Sequence, residues 1–266
     1  MPSALNYASL PLIAGADGPI NGLVMGASSG IGLALVSRLV AHPGVVVIHA
    51  VSRKACSSLP LIALQRQYPN RLRLADADIA SEADLARLAE TLHGHDPSLH
   101  LVLNTAGLLH DGAIQPEKTL QQVTSAGLAR AFAVNAFGPI LLGKALMPLL
   151  RHGGPAVFAS LSARVGSIGD NRLGGWYAYR AAKAAQNQLL RTFSIELARI
   201  NRRSIVLALH PGTTDTPLSK PFQGNVKADS LFTSDDAAGK LLDVIGQRTP
   251  ADSGGFFAWD GEHIPW

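Results

Sequence analysis

The sequence predicts a doubly wound α/β domain, a parallel sheet of about seven strands with helices on both faces. Short apolar, β-branched runs alternate along the chain with longer segments of helical period, the β-α-β rhythm of such a sheet. Several runs lack polar alternation, as expected of strands covered on both faces. No internal repeat, low-complexity tract or long linker interrupts the 266 residues, so a single domain over 1–266 is expected. With 47% hydrophobic and 16% charged residues, the chain can fill a sizeable core.

The strands are expected at 21–26, 44–51, 71–76, 99–105, 155–161, 203–210 and 254–260, and the helices at 30–41, 59–68, 82–93, 119–150, 175–200 and 234–247. Ser81 with Asp84 has capping-box spacing, Pro60 suits a first helical turn, and Ser234 precedes two acidic residues as a helix start would. Residues 1–19 form an N-terminal extension without a basic n-region, and Pro and Gly break its apolar residues, so a signal peptide is not expected. No apolar run reads as long enough to cross a bilayer. Residues 211–233, "PGTTDTPLSKPFQGNVKADSLFT", form a long irregular insertion after the sixth strand, and long loops in compact domains are more often functional than idle. Lys220, Phe222, Lys227 and Phe232 within it suggest a substrate lid whose two phenylalanines cover an apolar part of the substrate.

At the first strand–helix junction, "GLVMGASSGIGLALVSRLV" places Gly26, Gly30 and Gly32 in a G-x-x-x-G-x-G turn, with Ser28, Ser29 and Ile31 between them. Glycines there give a tight turn, close approach of backbone to a pyrophosphate and close helix–strand packing, while the helix N-terminus offers N–H groups to an anion. This is the dinucleotide cradle of a Rossmann-type fold. At the end of the second strand an acid usually meets a free ribose 2′-hydroxyl; here Arg53 and Lys54 stand instead, which favours a 2′-phosphate and hence NADP over NAD. Asp78 and Ile79 follow the third strand, where an adenine edge would rest. Asn104, Ala106 and Gly107 follow the fourth, where small residues would let ribose and nicotinamide approach the backbone.

"WYAYRAAKAA" holds two tyrosines and one lysine on an expected helix. Tyr179 and Lys183 are four residues apart and share a face, whereas Tyr177 points about 200° around the axis from Tyr179. If the lysine works with a phenol, that phenol is Tyr179.

Other chemistries find little footing. The nine histidines form no H-E-x-x-H, Cys56 has no C-x-x-C partner, and a metal site is not expected. G-x-S-x-G and G-x-x-x-x-G-K-[ST] are absent. Net charge is +4 with dispersed Lys and Arg, which argues against a nucleic-acid partner. A lone cysteine fits a reducing, cytoplasmic setting, with no membrane partner.

With "GASSGIG", "NTAG", "AFAVNAFGP", "YRAAK" and "HPGTTDT" in this order, the chain resembles the short-chain dehydrogenase/reductase family over roughly residues 20–260. "SARVGSIGDNRLGGWYAYRAAKAA" and the ending "FFAWDGEHIPW" look like its C-factor-like and sniffer-like subgroup. The resemblance implies roles: Tyr179 as acid/base, Lys183 as the lysine that contacts the nicotinamide ribose and lowers the phenol pKa, and Asn135 as the residue holding a relay water. Pro211, Gly212 and Thr214 would line the nicotinamide. Lowering a tyrosine by two to three units takes roughly 3–4 kcal/mol, about what a cation ~4 Å away supplies at an effective dielectric near 20. It also implies a small-molecule carbonyl or alcohol substrate and a homo-oligomer, dimer or tetramer. The family's strand-five motif commonly ends in two serines, the second polarising the substrate oxygen; here Ser162 matches the first and Ala163 the second. Ser162 is the expected donor, with Ser160 and Ser167 as competitors. The missing serine leaves open a second class of function, a dinucleotide-binding signalling or interaction protein with vestigial catalysis.

Overall fold

Successive residues along each strand feed opposite faces of one parallel sheet, and this alternation builds the two cores of the protein. In a computed structural model, residues 11–96, 98–112, 114–225 and 231–266 are described. The strands are β1 (Ile20–Met25), β2 (Val45–Ser52), β3 (Leu72–Asp76), β4 (Leu101–Asn104), β5 (Ala156–Leu161), β6 (Ser204–His210), the short β7 (Thr213–Thr214) and β8 (Leu231–Phe232), and β9 (Gly255–Ala258). Seven of them form the sheet in the order β3-β2-β1-β4-β5-β6-β9, all neighbours parallel, while β7 and β8 pair separately. The order reverses between β1 and β4, which opens a crevice at the carboxyl ends of these strands.

The helices are α1 (Gly30–Ala41), α2 (Leu59–Gln67), α3 (Glu82–His95), α4 (Ser125–Phe132), α5 (Gly138–Leu150), α6 (Tyr177–Ile200) and α7 (Ser234–Gly246). Val24, Leu101, Leu103 and Leu207 pack beneath α1 and α7 on one face; Leu23, Val102, Phe158 and Val206 pack beneath α3, α5 and α6 on the other. Leu12 and Ile13, in the segment expected to be an N-terminal extension, are buried in the first of these cores. Residues 1–10 lie outside the described residues.

Three expectations are corrected. The single helix expected over 119–150 is a 3-10 turn (Leu120–Gln122), α4, a π turn (Ala133–Phe137) and α5. Pro139 has no N–H to give the carbonyl of Asn135, and the Gly138 N–H reaches back five residues to Ala133 instead. The continuous span Ser125–Leu150 is nevertheless long and apolar enough to cross a membrane, contrary to the expectation that no run is. Half of it is buried, and Leu142, Leu146, Leu149 and Leu150 face the core, which accounts for its composition. Third, α7 is capped by Thr233, whose hydroxyl accepts the Asp236 N–H (3.0 Å), and not by Ser234. Elsewhere Pro60 does sit in the first turn of α2. Ser81 caps α3 through the Asp84 N–H (3.2 Å), although the Asp84 carboxylate turns to the Asp78 N–H and leaves the reciprocal half of the box unmade.

Phe158, fully buried on β5, meets Phe193 of α6 edge-on at 5.3 Å. Phe158→Ala is expected to cost about 3–5 kcal/mol in unfolding free energy, as for other buried aromatic truncations. Urea titration checks this, and a loss below about 1 kcal/mol would show that the cavity collapses.

Candidate active site

Every strand of the sheet's middle ends on the same side, and the residues singled out in the sequence follow those ends. Gly26 to Gly32 come after β1, Arg53 and Lys54 after β2, Asp78 and Ile79 after β3, Asn104 to Gly107 after β4, Ser162 after β5, and Pro211 to Thr214 after β6. The glycine turn is built as its spacing requires. Gly26 and Gly30 have φ of +87° and +53°, the left-handed region that glycine tolerates. A side chain on Gly32 would overlap the Gly26 carbonyl oxygen and lie 2.6 Å from Thr105 Oγ1. Thr105, which the sequence reading passed over, ties the turn to the end of β4 by donating its hydroxyl to Met25 O (2.9 Å) and Gly26 O (3.2 Å). Ser29 stands at the N-cap of α1 but its hydroxyl caps nothing, which leaves the first-turn N–H groups without that partner. Such a cradle fits a pyrophosphate.

Arg53 and Lys54 are exposed at the crevice end of β2. The side chains of Ile31 and Ile79 belong to the two cores, so any ligand contact from these residues falls to their backbone. Asp78 accepts the Ala80 N–H (2.9 Å). Asn135 sits fully buried in the π turn, its amide spent on Leu108 N (2.9 Å), Leu108 O (2.7 Å) and Ala131 O (3.0 Å), and so fastens the segment after β4 to the helix. π turns recur at functional sites.

The face of α6 that buries Leu190, Phe193 and Leu197 over the sheet buries Lys183, Gln186 and Asn187 at its edge. Tyr179 is half-buried one turn before Lys183, and the lysine Nζ lies 5.8 Å from its ring centroid; Tyr177 is 41% exposed and turned away. Helix geometry thus places Tyr179, and not Tyr177, on the lysine's face. Its expected activation is not present in this geometry. Lys183 gives two N–H groups to Leu161 O (2.7 Å) and Gln186 Oε1 (2.8 Å), and burial pushes the phenol pKa above its ordinary value while lowering the lysine to about 7. Desolvation by burial is the cause of both shifts.

None of the three serines directs its hydroxyl oxygen to Tyr179 among the described hydrogen bonds. Ser160 accepts from Asn104 Nδ2 and Gln186 Nε2 (2.8 Å each), Ser162 donates to Asn187 Oδ1 (2.7 Å), and Ser167 accepts the Asp170 N–H (3.1 Å). Two buried polar atoms lack partners among the described residues, Asn187 Nδ2 and His210 Nδ1. His210 ends β6, and burial, with Arg164 nearby, lowers its pKa to about 4 against the opposing pull of Asp260.

Gly174, Gly175 and Trp176 are all left-handed at the entry to α6, and Trp176 is the one non-glycine residue with positive φ (52°) among the described residues. Glu117, buried, holds this entry: its backbone oxygen accepts the Trp176 N–H (2.5 Å) and its Oε2 the Ala178 N–H (3.2 Å). Trp176 packs edge-on to Tyr179 (6.2 Å) and to Phe222 of the insertion (5.2 Å), and Phe222 also meets His110 (5.7 Å). Phe232 departs from the expected lid role, because it packs on Trp259 (4.7 Å) beneath Lys240 and so belongs to the body. Lys220 is exposed, and Lys227 lies outside the described residues. A recess lined by Leu108, Leu109, Ile114 and Ala131 reaches Tyr179 and adjoins a cleft of about 250 Å³ beside Gln115 and Thr124. No cluster of metal-ligating side chains occurs among the described residues.

Residues 26–245 match the family described as enoyl-(acyl carrier protein) reductase. A dehydrogenase of Rhodococcus, 1-hydroxy-2-glutathionyl-2-methyl-3-butene dehydrogenase, is 34% identical over 192 residues, 71% of this chain and 78% of its own. The chain belongs to the short-chain dehydrogenase/reductase family. Within it, the C-signal protein of Myxococcus xanthus is 35% identical over 55% of this chain and 83% of its own. The Sniffer carbonyl reductase of D. melanogaster superposes with a TM-score of 0.82 at 25% identity over 93% of this chain and all of its own. NADPH-bound carbonyl reductase from chicken fatty liver gives 0.81 at 26% over 94% of this chain and all of its own. These relatives place the chain in the C-factor-like and sniffer-like subgroup, and it is an oxidoreductase of the short-chain dehydrogenase/reductase type.

Because α1 can approach β1 only over Gly32, Gly32→Ala is expected to destabilise the fold by about 1–3 kcal/mol and to weaken dinucleotide binding at least tenfold. Thermal unfolding and NADPH fluorescence titration measure the two effects; unchanged values for both would contradict the close packing described.

Proposed function

We propose that this protein is an NADP-preferring oxidoreductase that interconverts a carbonyl and a secondary alcohol, with Tyr179 as the proton donor and acceptor. The observation that carries this reading is the half-buried Tyr179 one helical turn from the buried Lys183, at the carboxyl end of the sheet, where the glycine cradle also lies. The glycine turn and the open α1 terminus would hold the pyrophosphate, Arg53 and Lys54 the 2′-phosphate, and Asn104, Ala106, Gly107, Pro211, Gly212 and Thr214 would flank the nicotinamide end. When bound, the nicotinamide supplies or takes up the hydride. A phenol whose pKa is raised keeps its proton at neutral pH, which suits Tyr179 to protonate an alkoxide as a carbonyl is reduced. For alcohol oxidation the same phenol must first be lowered, and the Lys183 ammonium is the group placed to do it.

Ser162 is proposed to polarise the substrate oxygen. An end-for-end turn of the Asn187 amide would let Nδ2, now without a partner, donate to Ser162 Oγ and free the serine proton for the substrate. Phe222 would cover the site as part of a lid, with Trp176 and His110 as its seat, and the apolar recess beside Tyr179 favours a substrate with an apolar portion. Carbonyl reductases among the structural relatives, one with NADPH bound, agree with this assignment. A reducing compartment is supported by the single, exposed, unpaired Cys56.

Tyr179→Phe is expected to remove nearly all NADPH-dependent carbonyl reduction across a carbonyl panel while leaving NADPH binding and unfolding intact, and Tyr177→Phe to be mild. A dead Tyr177→Phe with an active Tyr179→Phe would reverse the assignment. A wild-type protein that binds NADPH and reduces nothing would favour the vestigial, signalling reading.

Cofactor choice is tested at Arg53. NADPH should bind more tightly than NADH, and Arg53→Asp should weaken that preference about tenfold or more, the worth of one charge-assisted contact. Equal dissociation constants in the unmodified protein would contradict the proposed 2′-phosphate site.

A further inference from the structure

Behind Lys183 lies a chain of buried side chains that begins at Gln186, to which the proposed reaction gives no part. Gln186, three residues on along α6 and wholly buried, accepts from Lys183 Nζ at 2.8 Å through Oε1. Its Nε2 donates to Ser160 Oγ (2.8 Å) and Leu161 O (3.2 Å) at the end of β5. Ser160 Oγ also receives Asn104 Nδ2 (2.8 Å), and Asn104 Oδ1 accepts the Ala106 N–H (3.1 Å) in the loop after β4. Lys183, Gln186, Ser160 and Asn104 are each 3% exposed or less. An ammonium has three N–H donors. With one fixed on Leu161 O and one on Gln186, a single donor direction remains.

We propose that Gln186 is a positioning residue for Lys183, fixing two of the ammonium's donors together with Leu161 O so that the third is aimed out of the core, and linking the lysine through Ser160 and Asn104 to the loop after β4. The burial of its amide explains why a glutamine stands on an otherwise core-facing stripe: both of its polar atoms are used, and a purely packing role would be filled by an apolar side chain. Loss of the acceptor would strip the ammonium of stabilisation in a site that already lowers its pKa to about 7. A carboxylate there would act in the opposite sense. Among the other titratable or charged groups on elements near the lysine, the Tyr179 phenol faces it along α6, while Arg164 is turned to Asp170 (3.0 Å) and Arg130 to Asp111 (3.8 Å).

The catalytic meaning of this inference rests on the function proposed above, but the lysine's ionisation can be read without turnover. In full-length protein labelled with 13C-lysine, the Lys183 Cε resonance, assigned with Lys183→Met, is titrated in the wild type, Gln186→Met and Gln186→Glu. The midpoint is expected to fall by about one pH unit or more in Gln186→Met and to rise by a similar amount in Gln186→Glu, since a hydrogen bond to a charged group is worth about one to two pH units. Opposite shifts support the proposal; midpoints that stay put, or move the same way in both variants, overturn it. The nearly isosteric Gln186→Glu decides alone if Gln186→Met does not fold. If reduction occurs, the pH profile of kcat/KM should shift in the same two directions. Absence of reduction in the wild type would remove the proposed function and leave the titration result standing.

Discussion

The contact on which the site depends is the one between the start of α1 and the end of β1, where there is no room for a methyl group. Gly32 lies against the Gly26 carbonyl and Thr105 hydroxyl, and only that approach lets the helix terminus open into the crevice where the strand order reverses. The remaining strands fan out from this point, so each strand end delivers its loop to a common rim. Packing of β-branched and leucine side chains on both faces holds the rim in place, and none of those side chains has to take part in the chemistry.

Along the other side of the crevice the constraint is polar. α6 enters through three left-handed residues held by Glu117, then turns a hydrogen-bonding face to the sheet edge before continuing as an apolar helix over the sheet. Burying lysine, glutamine, asparagine and serine together is costly unless each finds partners, and here nearly all do. The same enclosure favours the neutral forms of Tyr179 and Lys183, because burial penalises the charge on each.

Much of this was legible in the chain. Strand runs were apolar because both faces are covered, and the glycine spacing encoded a turn whose backbone angles demand glycine. The four-residue spacing put Tyr179, and not Tyr177, on the face of Lys183 because helix periodicity is rigid. What escaped was set by long-range partners. Thr105, Glu117, Trp176 and Gln186 have no local signature, since their partners lie 26 to 80 positions away. Gln186 did leave one trace, a polar residue on the stripe shared by Lys183 and Leu190. The π turn was hidden inside an apolar helical pattern, although Gly138–Pro139 marks the missing donor. Phe232 shares its residue type and its insertion with Phe222, and only the packing on Trp259 separates them.

The two-residue ladder of β7 and β8 pairs Thr213 with Leu231 and Thr214 with Phe232, and Phe232 is wedged against Trp259 and Gly212. That ladder is a neck that closes the insertion at its base. Changing the length of a loop already closed at its base costs little, about 0.6 kcal/mol for each doubling. Thr216, just past β7, still lies against Gly30 of the glycine turn, so descendants of this chain are freest to vary the length of the insertion beyond that contact without renegotiating how they fold.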